Sequence, residues 1–278
     1  LYFSSSREIA TGKQTSEITG QDFSDIFESG LDRKGEWTEP MPLSEAINTE
    51  DDEGSPCFNS AFDEMYFTRC RREKSAALGC QVYLSKLQGT QWSDPEMVPL
   101  IRDSSISIGH PSISPDGNTM LFVSRMQGGQ GGADIWMVEK DEESDEWGFS
   151  VNMGPQINTP RDEMYPYYRN DTTIYFASNG HMGMGGLDIF KAVKKDEKTW
   201  KIENMKVPVN SVADDFGITF MGEKEEGYFS STRNGRRYGD DIFGFFLPEL
   251  ELLAEVVVKD KNTEVPLENA KVNVIGSY

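Results

Sequence analysis

Basic residues are scarce in this sequence relative to acidic ones: 27 Lys and Arg stand against 47 Asp and Glu, a formal net charge of −20 over 278 residues. A phosphate backbone would be repelled, and no basic stripe with interleaved aromatics offsets that repulsion, so nucleic acid is not an expected partner. Long apolar runs are missing as well. None approaches the ~20 residues that span a bilayer, so no transmembrane segment is expected. The start, LYFSSSREIA, lacks the basic region and apolar core of a signal peptide. It opens like a strand and reads as the start of a fragment, which leaves the compartment open.

Histidine is almost absent, with only His110 and His181. His110 precedes Pro111 at a strand start and His181 lies in a glycine-rich turn, so a two-histidine metal site or a Ser-His-Asp triad is not expected. There is no G-x-S-x-G elbow and no phosphate-cradling loop leading into a helix. SPDGNT partly matches the aspartate box of sialidases but lacks the tryptophan, and reads as a turn. The three cysteines show no C-x-x-C spacing, so zinc is not indicated. From these absences we expect no cofactor, no metal and no enzymatic activity.

What the sequence does contain is a repeat. An aromatic or apolar pair recurs at Tyr2 with Phe3, Tyr66 with Phe67, Leu121 with Phe122, Tyr175 with Phe176, and Tyr228 with Phe229, at spacings of 64, 55, 54 and 53 residues. Aspartate, isoleucine and an aromatic residue follow at Asp25, Asp134, Asp188 and Asp241, and in the second copy the triplet degrades to Gln81, Val82 and Tyr83. Tryptophan comes next, at Trp37, Trp92, Trp147 and Trp200. The last anchor is Ile47 with Asn48, Ile157 with Asn158, or Val209 with Asn210, each leading into an acidic pair. Between anchors lie short β-rich runs such as EMYFTR, TMLFVSR and TIYFAS, separated by Gly, Asn and Asp turns. About 53 residues with four such runs cannot close a core alone, whereas radially packed copies bury one another's faces. The expected fold is an all-β propeller of four-stranded blades, five copies visible and five or six blades in the ring, over residues 1–247.

Within a blade the strands are a to d from the axis outward. The glycines before aspartate are expected to form the b to c hairpin with positive φ. Asp25, Asp134, Asp188 and Asp241 are then mainly structural, accepting bonds from turn amides. The second copy lacks this aspartate but places Cys70 and Cys80 on the two sides of the same hairpin, where a disulfide would pin the turn in an oxidising compartment. Cys57 is left over as a buried apolar residue. The first copy carries a long insertion, REIATGKQTSEITGQDFS, either a contact loop or a surface excursion. After Phe243 the pattern stops, and residues 251–278 read as the first strands of a truncated β-sandwich, with Ala270, Val272 and Val274 alternating.

The acidic pairs Asp52 with Glu53, Asp162 with Glu163, and Asp214 with Asp215 all fall in the d to a connection, just before the innermost strand. They converge on one channel mouth, where they would either bind a cation or a basic partner loop or simply cap strand ends. The third copy breaks the ring with Ser107 and Ile108.

The repeats, in stretches such as HPSISPDGNTMLFVSRMQGGQGGADIWMV and YPYYRNDTTIYFASNGHMGMGGLDIFKAV, resemble the TolB-like family of WD-type propeller repeats. The tail VVVKDKNTEVPLENAKVNV resembles a carboxypeptidase-regulatory-like domain. The two in succession resemble the middle of periplasmic OmpA-family proteins of Bacteroidota, the PorE type of the type IX secretion system. This resemblance implies a periplasmic, outer-membrane-associated scaffold that binds envelope or secretion-system proteins and reaches peptidoglycan only through a domain outside these residues. The alternative is a carbohydrate-binding or glycan-hydrolysing propeller that uses the acidic mouth.

Overall fold

The computed structural model describes residues 1–7, 23–73, 76–141, 143–196, 199–235, 239–247 and 257–271. Its described residues form strands and no helix, arranged as five antiparallel sheets. The first sheet holds β1 (Tyr2–Ser5), β2 (Asp25–Glu28) and β3 (Met41–Pro42). In the second are β4 (Asp52–Phe58), β5 (Glu64–Glu73) and β6 (Ala76–Gln88), with β7 (Gln91–Trp92) and β8 (Glu96–Met97) both pairing with β6. The third comprises β9 (Ile108–Ile113), β10 (Thr119–Ser124), β11 (Asp134–Glu139) and β12 (Val151–Asn152). The fourth comprises β13 (Glu163–Asn170), β14 (Thr173–Ser178), β15 (Asp188–Lys194) and β16 (Trp200–Asn204), and the fifth β17 (Asp215–Phe220), β18 (Glu226–Ser231) and β19 (Asp241–Phe246). Each repeat is one blade, so the five copies make a five-bladed β-propeller.

The b and c strands of the third and fourth blades are largely buried on both faces, as in TIYFAS of β14, because neighbouring blades cover them, whereas β19 alternates between half-buried and exposed residues. Blades interlock through tryptophan. Trp92 packs into the cluster containing Tyr2, Trp147 into that of Tyr66, and Trp200 into that of Leu121, in each case a b-strand residue of the preceding blade. Trp37 of the first blade meets Tyr228 of the fifth edge to face, with centroids 5.6 Å apart. That contact is the same interblade step, and it brings the last blade against the first. Two sheets have only three strands among the described residues. The first has none inside β1, and the fifth none outside β19.

The Ile-Asn anchor explains how consecutive blades are tied. Asn48 accepts from the Ile26 amide and donates to its carbonyl, at 2.8 and 2.9 Å. Asn158 does the same for Ile135 and Asn210 for Ile189. Each amide acts as a one-residue strand against β2, β11 or β15 where the short outer strand has ended, and so satisfies buried backbone groups.

The glycine expectation is corrected. Gly131, Gly132, Gly185 and Gly186 are not among the glycines at positive φ. A Cβ on Gly131 would sit 2.4 Å from the Pro160 carbonyl, and one on Gly185 2.0 Å from that of Ala213. These glycines are required because the hairpin lies directly against the next d to a connection, a steric demand rather than a torsional one. Cys70 and Cys80 are paired across β5 and β6 and joined by a disulfide, with Sγ atoms 2.09 Å apart. Cys57 is a free thiol packed at the edge of an apolar cluster.

Residues Leu1–Phe246 form one compact unit and Leu247–Tyr278 another. In the second, the described residues hold a turn in which Lys259 bridges to Pro266 and Asp260 accepts from Asn262 and Thr263. A β-sandwich is not shown there, and Val272 and Val274 lie outside the described residues, as does most of the first-copy insertion.

Replacing Asn158 by Ala should leave the buried Ile135 amide unpaired, and its carbonyl with the Met153 amide alone, and lower the unfolding free energy by about 2 to 3 kcal/mol, read as a shifted urea midpoint at constant slope. The Cys70→Ser, Cys80→Ser double variant should lose about 2 to 3 kcal/mol by loop entropy. Reductant should produce the same loss in the wild type and none in the variant.

Candidate functional site

Antiparallel pairing puts the starts of strands a and c and the end of strand b at one end of each blade: Ser124, for instance, pairs with both Ile108 and Asp134. The glycine-rich hairpins and the acidic pairs therefore share one face of the disc. Their roles divide within each pair. Glu53, Glu163 and Asp215 are fully buried. Glu163 accepts from the Thr159 amide and hydroxyl, both at 2.7 Å, and from the Ser178 hydroxyl at 2.6 Å. Glu53 binds Thr49 and Arg69, and Asp215 binds Ser211, Ser231 and Arg233. The expectation that these three face a partner or a cation at the mouth is thus corrected, because their oxygens close the connection from within.

The first members are half-buried. Asp52 accepts from the Ser24 amide and hydroxyl. Asp162 accepts from the Ala133 amide at 2.9 Å and from Arg125 at 2.6 Å. Although burial opposes it, these donors hold the Asp162 carboxyl below its ordinary range. Asp214 accepts from the Leu187 amide. All three cap the residues leading into strand c. The repeat aspartates do related work. Asp134 accepts from the Gln130 amide and from Asn152 at 2.9 Å, and Asp188 from the Met184 and Gly185 amides at 2.8 and 3.0 Å. Asp25 is buried like them, while Asp241 accepts from Asn234. No group of three or more His, Cys, Asp or Glu among the described residues is arranged to hold a metal ion.

A feature that sequence reasoning missed lies on the innermost strands. β4, β9, β13 and β17 each contain a bulge, and Ser55, His110, Tyr165 and Gly217 there have φ of 49°, 49°, 51° and 62°. Left-handed backbone at three non-glycine residues is costly and is held only by its surroundings. The Ser55 amide donates to the Ser4 hydroxyl at 3.0 Å and that of His110 to the Thr68 hydroxyl at 2.9 Å. The Tyr165 amide donates to Nδ1 of His110 at 3.3 Å. The bulges carry a row of rings across three blades: His110 stacks on Tyr165 at 4.0 Å, and Tyr165 lies 4.8 Å from Phe216. The sequence signal was present, as a residue followed by proline in Ser55-Pro56, His110-Pro111 and Tyr165-Pro166.

Burial lowers the His110 pKa to about 4, so the imidazole is neutral, with Nδ1 the acceptor. Burial and then the Asp240 charge push the Tyr165 phenol up to about 12. Burial, followed by the Asp214 and Asp241 charges, raises the Asp240 carboxyl. The end of the ring near the fourth and fifth blades is therefore both aromatic and acidic.

Beside it lies exposed apolar surface. Met182 is 93% exposed, Val212 85% and Met184 45%. Asn204 donates to the Met182 carbonyl, and the Gly186 amide to that of Ala213, so this hairpin and the connection to the fifth blade form one surface.

No protein-family model matches the sequence, and no curated protein is similar to it. Among solved structures the chain is similar to TolB from Acinetobacter baumannii, at 16% identity and a TM-score of 0.48, covering 88% of this chain and 48% of that one. The chain thus spans about half the length of that protein. It is also similar to a GH43 endo-arabinanase from Bacillus licheniformis, at 13% identity and TM-score 0.45, covering 87% and 92%. A Mycobacterium tuberculosis puromycin-hydrolyzing peptidase matches at 12% and 0.42, covering 83% and 34%. The likeness is one of fold. The expectation that the chain is no enzyme finds no support in these neighbours, hydrolases being among them.

Acidification tests the aromatic row. The folded pKa of His110 lies below its free value of 6.5, so the unfolded chain takes the proton first and stability falls as pH drops from 6.5 toward 4. Substituting Asn, which tolerates left-handed backbone and keeps an acceptor, should remove about 1 to 2 kcal/mol of the loss between pH 7 and 4.5, measured by urea unfolding across pH.

Proposed function

We propose that the propeller is a docking module of the bacterial envelope, taking a protein partner on the face formed by the hairpins and the d to a connections. The observation that supports this most directly is the solvent-facing Met182, Met184 and Val212 beside Asp214 and Asp240. Contiguous exposed apolar side chains rimmed by charge mark interaction surfaces, and methionine adapts to a partner's shape. The acidic rim and the net charge of −20 favour a partner loop bearing Lys or Arg. The Cys70–Cys80 bond fits an oxidising compartment such as the periplasm. Together with the resemblance to PorE-type proteins, this supports an outer-membrane-associated role in a secretion or envelope assembly, with peptidoglycan contacts left to domains beyond residue 278.

A second reading, a glycan seated at the axial end, is favoured by the ring row of His110, Tyr165 and Phe216 next to Asp240. The two readings separate experimentally. In cross-linked envelope extract, the Met182→Asp, Val212→Asp double variant should lose at least tenfold of the specific partner signal, while Phe149→Asp, on another surface, should keep it. Retention by the double variant would remove the docking reading. Saturable binding of soluble envelope glycans, lost in Tyr165→Ala, would establish the second reading instead.

A further inference from the structure

Beneath the glycine loops of the third and fourth blades lie two carboxylates that are satisfied on one oxygen only. The loops end in the same pattern, GQGGAD over residues 129–134 and GMGGLD over residues 183–188, which is G-x-G-G-x-D in both. Asp134 and Asp188 are each 1% exposed. All of their donors converge on Oδ2. That atom of Asp134 accepts from the Gln130 amide and from Asn152 at 2.9 Å, and that of Asp188 from the Met184 and Gly185 amides at 2.8 and 3.0 Å. The first glycine of each pattern, Gly129 or Gly183, lies so close to the same oxygen that a Cβ there would overlap it. Oδ1 of each aspartate is buried and has no hydrogen-bond partner among the described residues.

Other buried acids on this face are built differently. Glu53, Glu163 and Asp215 accept on both carboxylate oxygens, and two of the three also meet an arginine. A carboxylate taken out of water needs donors on both oxygens or a positive partner. In Asp134 and Asp188 the second oxygen has neither among the described residues. The second blade supplies the contrast. There the neutral Gln81 stands in place of the aspartate, its amide donates to the Ser104 and Ile106 carbonyls, and the Cys70–Cys80 bond closes the hairpin.

Further oxygens lie close by in sequence. Among the described residues no backbone amide donates to the carbonyls of residues 129–132 or 183–186, and these loop residues are mostly exposed, which leaves a path for entry. A site made only of oxygens selects a hard cation. Ca²⁺ accepts irregular shells of about 6 to 8 oxygens, whereas Mg²⁺ demands an octahedron and retains its water. We propose that each G-x-G-G-x-D hairpin binds one Ca²⁺ ion through Oδ1 of Asp134 or Asp188, with loop carbonyls and water completing the shell. One carboxylate per ion places the affinity in the weak class, with dissociation constants on the order of 10⁻⁴ to 10⁻³ M. The ion ties the loop to the start of strand c, the task that the disulfide performs in the second blade.

Calcium titration of the chelator-treated 278-residue protein tests this. Calorimetry should detect two equivalents per chain, and ~5 mM Ca²⁺ should raise the melting temperature by about 5 to 10 °C relative to EDTA. Asp134→Asn and Asp188→Asn, which keep an acceptor for the loop amides, should each remove one equivalent and about half of the thermal shift. Asp171→Asn, on an exposed turn, should remove neither. A second measurement needs no variant: in NMR spectra of the wild type, Ca²⁺ should move the amide resonances of residues 128–134 and 182–188 and leave those around Gln81 in place. Absence of saturable binding at ~10 mM Ca²⁺, or undiminished binding by the Asp134→Asn, Asp188→Asn double variant, would overturn the proposal. So would an equal response to Mg²⁺, or resonance shifts spread over the acidic surface instead of the two hairpins.

Discussion

The ring depends on satisfying one pair of buried backbone groups at each of three interblade connections. The outer strand is short, β12 covering only Trp136 and Met137 of β11, so the amide and carbonyl of Ile135 face away from any strand at a buried site. Water cannot reach them, and an unpaired buried amide costs more than most side-chain contacts return. The asparagine of the next connection supplies both partners, and the outer strand contributes one more, the Met153 amide to the Ile135 carbonyl. A residue that belongs by sequence to the path into the next blade thereby finishes the sheet of the previous one. Blades joined this way cannot separate without exposing polar groups on both sides.

The acidic residues follow from the same requirement. Once the asparagine is fixed, the next hydroxyl, Thr49, Thr159 or Ser211, caps the buried acid that starts the inner strand. That acid needs a second donor, which comes from the end of strand b: Arg69, Ser178, or Ser231 with Arg233. Much of the face's chemistry is therefore spent internally. What remains for partners is the outer carboxylates, the axial rings and the apolar hairpin tip of the fourth blade.

The sequence made most of the fold legible, because positions filled by one residue type recur at fixed spacing. Asp-Ile-aromatic, Ile-Asn and tryptophan each solve a problem that few side chains can solve. The nitrogen-bearing side chain above the aromatic pair of strands b and c, Arg69, Arg233 or His181, escaped notice for the opposite reason. Arg69 sits at the strand-b position occupied elsewhere by serine, Arg233 two residues beyond it and His181 three beyond, so geometry is retained while letter and spacing drift. The acidic pairs were visible as a motif, but adjacent residues on a strand point to opposite sides, and composition alone does not say which carboxylate is buried. The axial rings were hidden for another reason: bulges shift the alternation on which strand-facing arguments rest.

The junction of the second and third blades shows how tightly these features are coupled. It lacks aspartate, asparagine and acid together, with Gln81, Ile106 and Ile108 in their region. Gln81 supplies the missing amide, donating to the Ser104 and Ile106 carbonyls at 2.9 Å. With no carboxylate at position 108, the Ser124 hydroxyl donates to the Ser107 carbonyl. Ser107 also accepts the Cys80 amide, and the hairpin that aspartate holds elsewhere is held by the Cys70–Cys80 bond. These replacements occur together at one junction. The departures form one alternative solution to the same buried-polar constraint, which is why the second copy diverges at several anchors at once while its blade keeps its place in the ring.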